Sequence, residues 1–269
     1  MEREALLVLL TQAHALLQSL RPLSPQVLQE LAHRFDVALT HHSTAIEGNT
    51  LTQSETEIVI EKGITVSGKS LREHLEVVGH KEALDFVREL AGASQPIGER
   101  EIRQIHSLVM KGQDGQDRGG YRSLDVKAAG TGHRYPSHLK VPELMRDFSE
   151  WLGLESPDHP VIRASEAHLR FVTIHPFRDG NGRVGRLLLN LLLVQNGYPI
   201  AVIPLAKRAE YISSLEQAQG QRDRSALDHL VMAAVVKGFV ETFETAVSDA
   251  EATEAQKEVM RLWLNAAGT

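Results

Sequence analysis

The sequence contains no cysteine. This absence excludes a disulfide framework, a cysteine-ligated zinc site and catalysis by a thiol. The formal net charge is -6, so the composition gives no general attraction to nucleic acid or to an anionic membrane. No run approaches the ~18 apolar residues that a membrane-spanning helix needs. The N-terminal run Ala5–Leu10 follows charged residues and is interrupted at Thr11, which favours an amphipathic helix over a signal sequence. We therefore predict a cytoplasmic protein.

Helical periodicity dominates a chain of 269 residues, 42% of them hydrophobic. Ser24 before Pro25 is typical of a helix start, and Thr52 with Glu55 predicts a capping box. Apolar residues that recur at spacings of three and four predict helices over residues 2–20, 25–41, 52–63, 70–90, 99–110, 141–152, 163–174, 183–195, 208–219 and 226–264. We predict one all-α domain with helical additions at both ends.

One region, residues 119–142, breaks this pattern. Two short extended runs, Leu124–Ala128 and His133–Tyr135, flank Gly130-Thr131-Gly132, which predicts a β-hairpin with a glycine turn. An isolated hairpin on a helical body has an unpaired edge. The alternative is an ordinary surface loop, which the pattern by itself favours.

The segment IHPFRDGNGRVGR, which begins at Ile174, concentrates chemically active residues between two helices. Gly180-Asn181-Gly182 precedes an apolar helix, where backbone N–H groups are unpaired and glycines let a ligand approach, so this is a phosphate-binding pattern. Arg183 and Arg186 add positive charge on one helical face, and Asp179 is a candidate ligand for Mg²⁺ beside phosphate. His175 is the group in the loop suited to accept a proton near neutral pH.

Together these residues predict attack on a phosphorus atom. The alternative is a helix-loop-helix corner with a capping aspartate and solvated arginines. That alternative accounts for each residue singly, but not for their concentration in residues 175–186.

The segment HPFRDGNGRVGR, residues 175–186, resembles the signature H-x-F-x-[D/E]-G-N-G-R-x-x-R of the Fic family at every specified position. The resemblance implies a Fic-type helical bundle with a β-hairpin flap. It also implies a protein adenylyltransferase that transfers AMP from ATP to a hydroxyl of a target protein. The intact G-N-G-R argues against the kinase-like branch of the family, but it does not exclude another nucleotide such as UTP.

The resemblance assigns roles residue by residue. His175 would be the base, Asp179 would bind Mg²⁺, and Phe177 would pack inward to fix the loop. The nucleotide-binding residues would be Gly180, Asn181 and Gly182 around the α-phosphate, Arg183 on phosphate oxygens, Arg186 on the γ-phosphate, and Tyr211 in the segment 207–211 that closes over the adenine.

The flap would dock an extended target segment by β-augmentation and so present a hydroxyl to His175. Its docking residues would be Val126, Lys127, Ala128, His133, Arg134 and Tyr135. His168 shares a helix face with His175, but we expect it to pack and hydrogen-bond within its helix rather than bind a metal.

Residues 43–48, STAIEG, match the inhibitory-helix motif [S/T]-x-x-x-E-[G/N] of the family branch that carries its inhibitor in the same chain. The resemblance implies that Glu47, with Ser43, engages Arg186 and displaces the γ-phosphate. It implies a Fic domain over residues 41–224, with the inhibitory helix at 41–49 and the flap at 119–142. An N-terminal extension (1–40) and a C-terminal helical region (225–269) would flank it.

Two other functions remain open. The same site could remove AMP from a modified protein, with Glu47 positioning the attacking water. A module that only binds ATP and docks a protein is the alternative from another class, although it would not need His175 as a base. The predicted partners are ATP and a target protein; related proteins suggest a homodimer as a further possibility.

Overall fold

The computed structural model describes residues 2–93, 97–112, 118–126, 133–249 and 252–267. Its α-helices, numbered in chain order, are α1 (Arg3–Ser19), α2 (Pro25–Ile46), α3 (Gln53–Lys62), α4 (Leu71–Ala93), α5 (Glu99–Val109), α6 (Val141–Gly153), α7 (Pro160–Ile174), α8 (Asn181–Gln195), α9 (Arg208–Gln221), α10 (Ser225–Val247) and α11 (Glu254–Ala267). Short 3₁₀ turns precede α6 and α9. Within these described ranges there is no β-strand, which confirms the prediction of an all-α fold. In the same ranges, every helix is too short or too polar to cross a membrane.

The helix starts follow the predicted capping chemistry. The Ser24 hydroxyl accepts a hydrogen bond from the Val27 N–H at the start of α2. At α3, the Glu55 N–H donates to the Thr52 hydroxyl, and the Thr52 N–H donates to the Glu55 carboxylate. Local sequence therefore determines where the helices on either side of Glu47 begin.

Helix α8 is the central element of the core. Leucines on all of its faces are buried (Leu187, Leu188, Leu189, Leu191 and Leu193), which is typical of a helix enclosed by others. It packs on α7 and α4. Gly185 permits the close approach to α7, because an added methyl group there would lie 2.9 Å from both His168 Nδ1 and Val172 Cγ1. The start of α8 is consequently held in a fixed position against the end of α7.

Both ends of the chain pack into this same core. The hydrophobic cluster extends from Leu6 on α1 to Trp263 on α11, and Trp263 meets Phe243 edge-on at 5.0 Å. The continuous helix predicted over residues 226–264 is instead two helices, because α10 ends at Val247 and α11 packs back against α10. The domain boundaries at residues 40 and 224 stay a prediction.

The predicted β-hairpin is not shown. Residues 118–126 and 133–137, which flank the proposed turn, contain no strand, and the glycine turn at 130–132 lies outside the described residues. Residues 133–137 cross the end of α7 without any regular backbone pairing. They contact the site through the Tyr135 ring and the Pro136 carbonyl.

Candidate active site

The loop between α7 and α8 is clamped by one amide side chain. Asn181 Oδ1 accepts from the Phe177 N–H at 3.0 Å, and Asn181 Nδ2 donates to the Phe177 carbonyl at 2.8 Å. Phe177 is fully buried, as predicted, and its ring stacks on His106 at 3.6 Å. The Asn181 side chain therefore shapes the loop. Of the contacts predicted for Asn181, only those from its backbone N–H remain open to a phosphate.

His106 on α5 is a supporting residue that the sequence pattern did not single out. Its Nδ1 accepts from the Gly119 N–H at 2.9 Å, so its other nitrogen carries the proton and donates to the Asp179 carbonyl at 3.1 Å. The motif contains no signal for it, because α5 lies far from the loop in sequence. Packing alone brings His106 under the loop.

His175 caps the C-terminus of α7 in a left-handed conformation, with φ 52°. Its Nδ1–H donates to the Val172 carbonyl at 3.3 Å, so Nε2 is the nitrogen that carries the lone pair, and no partner of Nε2 is found among the described residues. Burial, with a smaller contribution from the nearby Arg122 charge, lowers the pKa of His175 to about 4 against the opposing effects of that hydrogen bond and of Glu47. The imidazole is therefore neutral at physiological pH and able to accept a proton.

Arg122 anchors the segment that covers His175, and sequence reasoning missed it. It is 6% exposed, and its guanidinium donates to the carbonyls of His175 (2.8 Å) and Pro136 (2.5 Å). Its own N–H donates to the Pro176 carbonyl. The buried Arg122 side chain thus connects the two ends of the predicted flap to the loop between α7 and α8.

The predicted flap residues are only partly brought to the site. Tyr135 stacks on the His175 ring at 4.0 Å, and His133 meets Tyr135 edge-on at 5.1 Å. Arg134 is exposed and Val126 is half-buried. Lys127 and Ala128 lie outside the described residues.

The start of α8 forms a concentrated positive site. The side chain of Arg183 is 3% exposed, and its Nη2 approaches Asp179 Oδ1 at 3.3 Å. Its Nε and Nη1 are buried and have no hydrogen-bond partner among the residues that the structure describes. Buried guanidinium donors are costly to leave unpaired, and the first N–H groups of a helix lack intrahelical acceptors. Gly180 is an exception, because its N–H already donates to Asp179 Oδ1 at 2.6 Å. Arg183 and the backbone of Asn181 and Gly182 thus have donor capacity for an anion.

Asp179 lies at the mouth of this site with its side chain 50% exposed. Besides the contacts to Gly180 and Arg183, its Oδ2 faces Arg72 on α4 at 3.8 Å. The exposed carboxylate beside an anion site is the donor set that Mg²⁺ uses together with phosphate oxygens. The residues present therefore fit the predicted ion.

Arg186, one turn further along α8, is held by the helix that ends at Glu47. Its Nε donates to the Ser43 hydroxyl at 3.0 Å, and its Nη2 donates to the Ser43 carbonyl at 2.7 Å and to Glu47 Oε1 at 2.8 Å. Burial opposes the charge on Arg186, but the interactions with the Glu47 carboxylate and the Tyr211 oxygen together more than offset this and raise its pKa. The structure thus brings together the predicted inhibitory pair and Arg186.

The turn after Glu47 explains how its carboxylate is aimed. Gly48 has φ 105°, a conformation that favours glycine, so the chain turns away directly after α2. Asn49 Nδ2 then donates to the Glu73 carbonyl and to Glu76, which pins the turn on α4. A methyl group added at Gly182 would overlap the Glu47 carboxylate. Glu47 therefore lies directly over the first turn of α8.

Tyr211 differs from the prediction that it contacts the nucleotide. It is 1% exposed, and its hydroxyl lies 3.5 Å from Arg186 Nη1 and 2.8 Å from His168 Nε2. Segment 207–211 does adjoin the site, since Arg208 donates to the Ile46 carbonyl at the end of α2. Tyr211 faces inward from α9, so its ring packs beside Arg186 in the interior and is not exposed to a nucleotide. His168 is buried and hydrogen-bonded, as predicted, but its partner is on another helix.

Comparison with known proteins gives consistent matches. The model of the Fic/DOC family matches residues 96–193. Protein adenylyltransferase fic-1 from Caenorhabditis elegans is 38% identical over 182 residues, which cover 66% of this chain and 35% of that protein. This chain thus spans about a third of the length of that curated relative.

Two solved structures extend the likeness to nearly the whole chain. Fic-1 from C. elegans is 30% identical with a TM-score of 0.76, over 96% of this chain and 71% of that one. A Fic domain containing signaling protein from Bacteroides thetaiotaomicron is 27% identical with a TM-score of 0.83, over 91% of this chain and 100% of that one. Fold and site define an all-α protein with a positively charged loop at the start of a buried central helix. The chain belongs to the Fic family.

Proposed function

We propose that this chain is a protein adenylyltransferase that transfers AMP from ATP to a tyrosine, serine or threonine hydroxyl of a target protein. The observation that carries the proposal is the pairing of two features on one loop. Among the described residues, a neutral histidine with a free Nε2 lies at the start of the loop, and a buried arginine with unpaired donors lies at its end. The names of the similar proteins support the same activity.

His175 is the general base in this mechanism. Its Nδ1–H is held by the Val172 carbonyl, so Nε2 takes the proton of the target hydroxyl. The low pKa keeps the imidazole unprotonated before the reaction. The hydroxyl oxygen forms a bond to the α-phosphorus, the bond from that phosphorus to the bridging oxygen breaks, and pyrophosphate leaves.

Arg183 and the first N–H groups of α8 hold the oxygens of the phosphate at which this substitution occurs. The N–H groups of Asn181 and Gly182 point along the helix axis at its positive end, where an anion is stabilised. The unpaired Nε and Nη1 of Arg183 add charged donors in a buried setting, where electrostatic stabilisation is strongest. Arg186 would bind the terminal phosphate once Glu47 is displaced.

Asp179 would hold Mg²⁺, which when bound neutralises charge on the phosphates. Its half-exposed carboxylate supports this role, as does its position next to Arg183. Arg72 is the cation that faces Asp179 Oδ2. Binding of Mg²⁺ would replace that long, exposed ion pair, which costs little.

Glu47 is an inhibitory residue in this proposal. Its carboxylate uses the Arg186 Nη2 donor and overlies the first turn of α8, where the terminal phosphate would lie. ATP must therefore displace Glu47 before it can bind in line with His175. Autoinhibition follows from competition between two anions for one guanidinium.

Removal of AMP from a modified protein is a second candidate function. The observation that favours it is the electrostatic coupling of Glu47 to His175, whose pKa Glu47 raises. The Glu47 side chain is 40% exposed, so it could orient a water molecule towards a bound adenylyl group. In that reaction Glu47 is required rather than inhibitory.

Target docking would use the segment that covers His175. Tyr135 stacks on the imidazole, so a target side chain must approach beside this ring. Arg122 holds the segment in place from below. We propose that residues 133–135 guide the target hydroxyl towards Nε2.

Transfer of label from α-labelled ATP tests the proposal. We expect Glu47→Gly protein to label a protein acceptor, itself included, and Glu47→Gly/His175→Ala protein to bind ATP without transfer. His229→Ala on the exposed surface of α10 is the matched control and should retain labelling. Transfer by the His175 variant would overturn the assignment of the base. Loss of a labelled acceptor's AMP by wild-type protein, but not by Glu47→Gly, would favour the second candidate.

A further inference from the structure

Arg186 contacts two different helices, and the proposed mechanism uses the contacts to only one of them. On one side are Ser43 and Glu47, which belong to α2 and its cap. On the other is the Tyr211 hydroxyl of α9, 3.5 Å from Arg186 Nη1, with the Arg186 guanidinium carbon 5.8 Å from the centre of the Tyr211 ring. Displacement of Glu47 removes a contact only from the α2 side. The α9 side remains available to hold the guanidinium while a phosphate binds.

The proton positions in the α9 contact follow from donor chemistry. A guanidinium has no acceptor, so the Tyr211 oxygen must accept from Arg186. The hydroxyl proton is then directed to the other partner, His168 Nε2, at 2.8 Å. His168 must therefore present a lone pair at Nε2, which requires a neutral imidazole. Burial lowers the pKa of His168 to about 4, against a smaller opposing effect of the Gly185 backbone, and so keeps it neutral.

His168 is placed by the packing of α7 on α8. It is 0% exposed, and the absence of a side chain at Gly185 lets its ring approach α8 within van der Waals distance. The three side chains thus form a buried series from α7 through α9 to α8. All three side chains are at most 2% exposed, so solvent does not compete for these contacts.

We propose that His168 and Tyr211 are positioning residues, which hold the Arg186 guanidinium in the orientation that binds the terminal phosphate of ATP. His168 directs the Tyr211 hydroxyl, and the hydroxyl oxygen fixes Arg186 Nη1. This inference rests on the proposed function. It assigns Tyr211 a role through Arg186 rather than through the adenine.

The test measures the Kd of ATP and of ADP by calorimetry in the Glu47→Gly background. Tyr211→Phe keeps the ring and removes the oxygen. The contact to Arg186 is long, so its net worth is near the low end for a hydrogen bond, and we expect the ATP Kd to rise about two- to five-fold. The ADP Kd should not change, since ADP lacks the phosphate that Arg186 would bind.

Two variants of His168 separate hydrogen bonding from packing. Gln retains an acceptor near the position of Nε2, whereas Leu fills the space without one. We expect His168→Gln to bind ATP like its Glu47→Gly parent and His168→Leu to resemble Tyr211→Phe. Combining His168→Leu with Tyr211→Phe should add nothing further, because both break the same series. If His168 only filled space, His168→Leu would bind ATP like its parent and His168→Gln would bind it more weakly.

Tyr198→Phe is the matched control. Tyr198 is also buried, and its hydroxyl also lies near a histidine, His159, at 3.2 Å. It adjoins the far end of α8, so its loss should leave the ratio of the ATP and ADP Kd values unchanged. Melting temperatures of all variants verify folding.

The measured affinities distinguish failure of the positioning role from failure of the proposed site for the terminal phosphate. If Glu47→Gly protein prefers ATP over ADP and Arg186→Met abolishes that preference, but Tyr211→Phe keeps it, the positioning role is wrong. If Glu47→Gly protein shows no preference for ATP even with Arg186 intact, the proposed site for the terminal phosphate is wrong, and the positioning role is overturned with it.

Discussion

Replacing Glu47 by Gln should strengthen ATP binding while weakening the fold. Gln keeps the size of the side chain and removes the charge that Arg186 engages at 2.8 Å. Gly removes both charge and bulk from the first turn of α8. The two variants therefore separate charge competition from steric exclusion.

The magnitude follows from the burial of the two partners. The Arg186 side chain is 2% exposed and the Glu47 side chain is 40% exposed. A hydrogen bond between charged groups contributes ~1.5–3 kcal/mol, and exposure of one partner to solvent reduces this to ~1–2 kcal/mol. ATP must recover that free energy to displace Glu47. Removing the competition should therefore tighten ATP binding about 5- to 30-fold.

Loss of the contact between Arg186 and Glu47 should also lower the stability of the nucleotide-free protein. Loss of ~1–2 kcal/mol in a chain of this size lowers Tm by about 2–8 °C. The two donors from Arg186 to Ser43 remain, so the buried guanidinium stays partly satisfied and the fold survives. ATP should then raise the Tm of the variant more than that of the wild type.

Calorimetric titration with ATP and with ADP gives the Kd values, and thermal melts give the Tm. Glu30→Gln is the matched control, because Glu30 lies on the same helix in an ion pair with Arg34 that is exposed on both sides. The Glu30→Gln substitution should change neither the affinity for ATP nor the affinity for ADP. If the ATP Kd of both Glu47 variants stays within about two-fold of wild type, Glu47 does not compete with the terminal phosphate, and the inhibitory role is refuted.

Three further predictions concern the loop and its support. The kcat/KM of Glu47→Gly protein should stay constant as pH falls through 6.5 and decline only at pH 4 or below, because the base must be unprotonated. The pKa of His175 is lowered to about 4 with Glu47 present, and loss of Glu47 removes an effect that raises it; a decline centred at 6.5 would contradict this. Asp179→Ala should abolish the Mg²⁺ dependence of ATP binding measured by calorimetry, whereas Asp158→Ala at an exposed position should not; unchanged dependence would exclude Asp179 as the ligand. Arg122→Met should lower AMP transfer roughly tenfold or more while ATP binding persists, since it frees the segment over His175. Arg118→Met is its control, and equal loss of binding and transfer would indicate a structural role.

Much of the site could be predicted from local sequence because its residues are neighbours along the chain. The loop from His175 to Arg186 needs only two helix ends and their intrinsic polarity to form an anion site. The predicted helix starts at Ser24 and Thr52 depended on capping within four residues. The long helix predicted over 226–264 was wrong, because both halves are apolar on one face and the turn after Val247 leaves little periodic signal.

Other residues acquired their roles only through tertiary packing. Asn181 is part of the motif, yet its side chain is committed to Phe177. His106 and Arg122 lie on other segments and carry no pattern that would associate them with the loop. Tyr211 was predicted to contact the adenine, and only packing places it beside Arg186. Their positions depend on how α5, α9 and the chain before α6 pack around α7 and α8.

The sequence by itself determined the helical fold, the loop chemistry and the candidate inhibitory glutamate, because each is expressed in residues close together along the chain. Only the tertiary structure decided which atoms of Arg186 contact Ser43 and Glu47, and that Tyr211 is a further partner. Ser43 and Glu47 approach it from α2, and Tyr211 approaches it from α9. Contacts between distant segments depend on helix packing and burial, which no local pattern records.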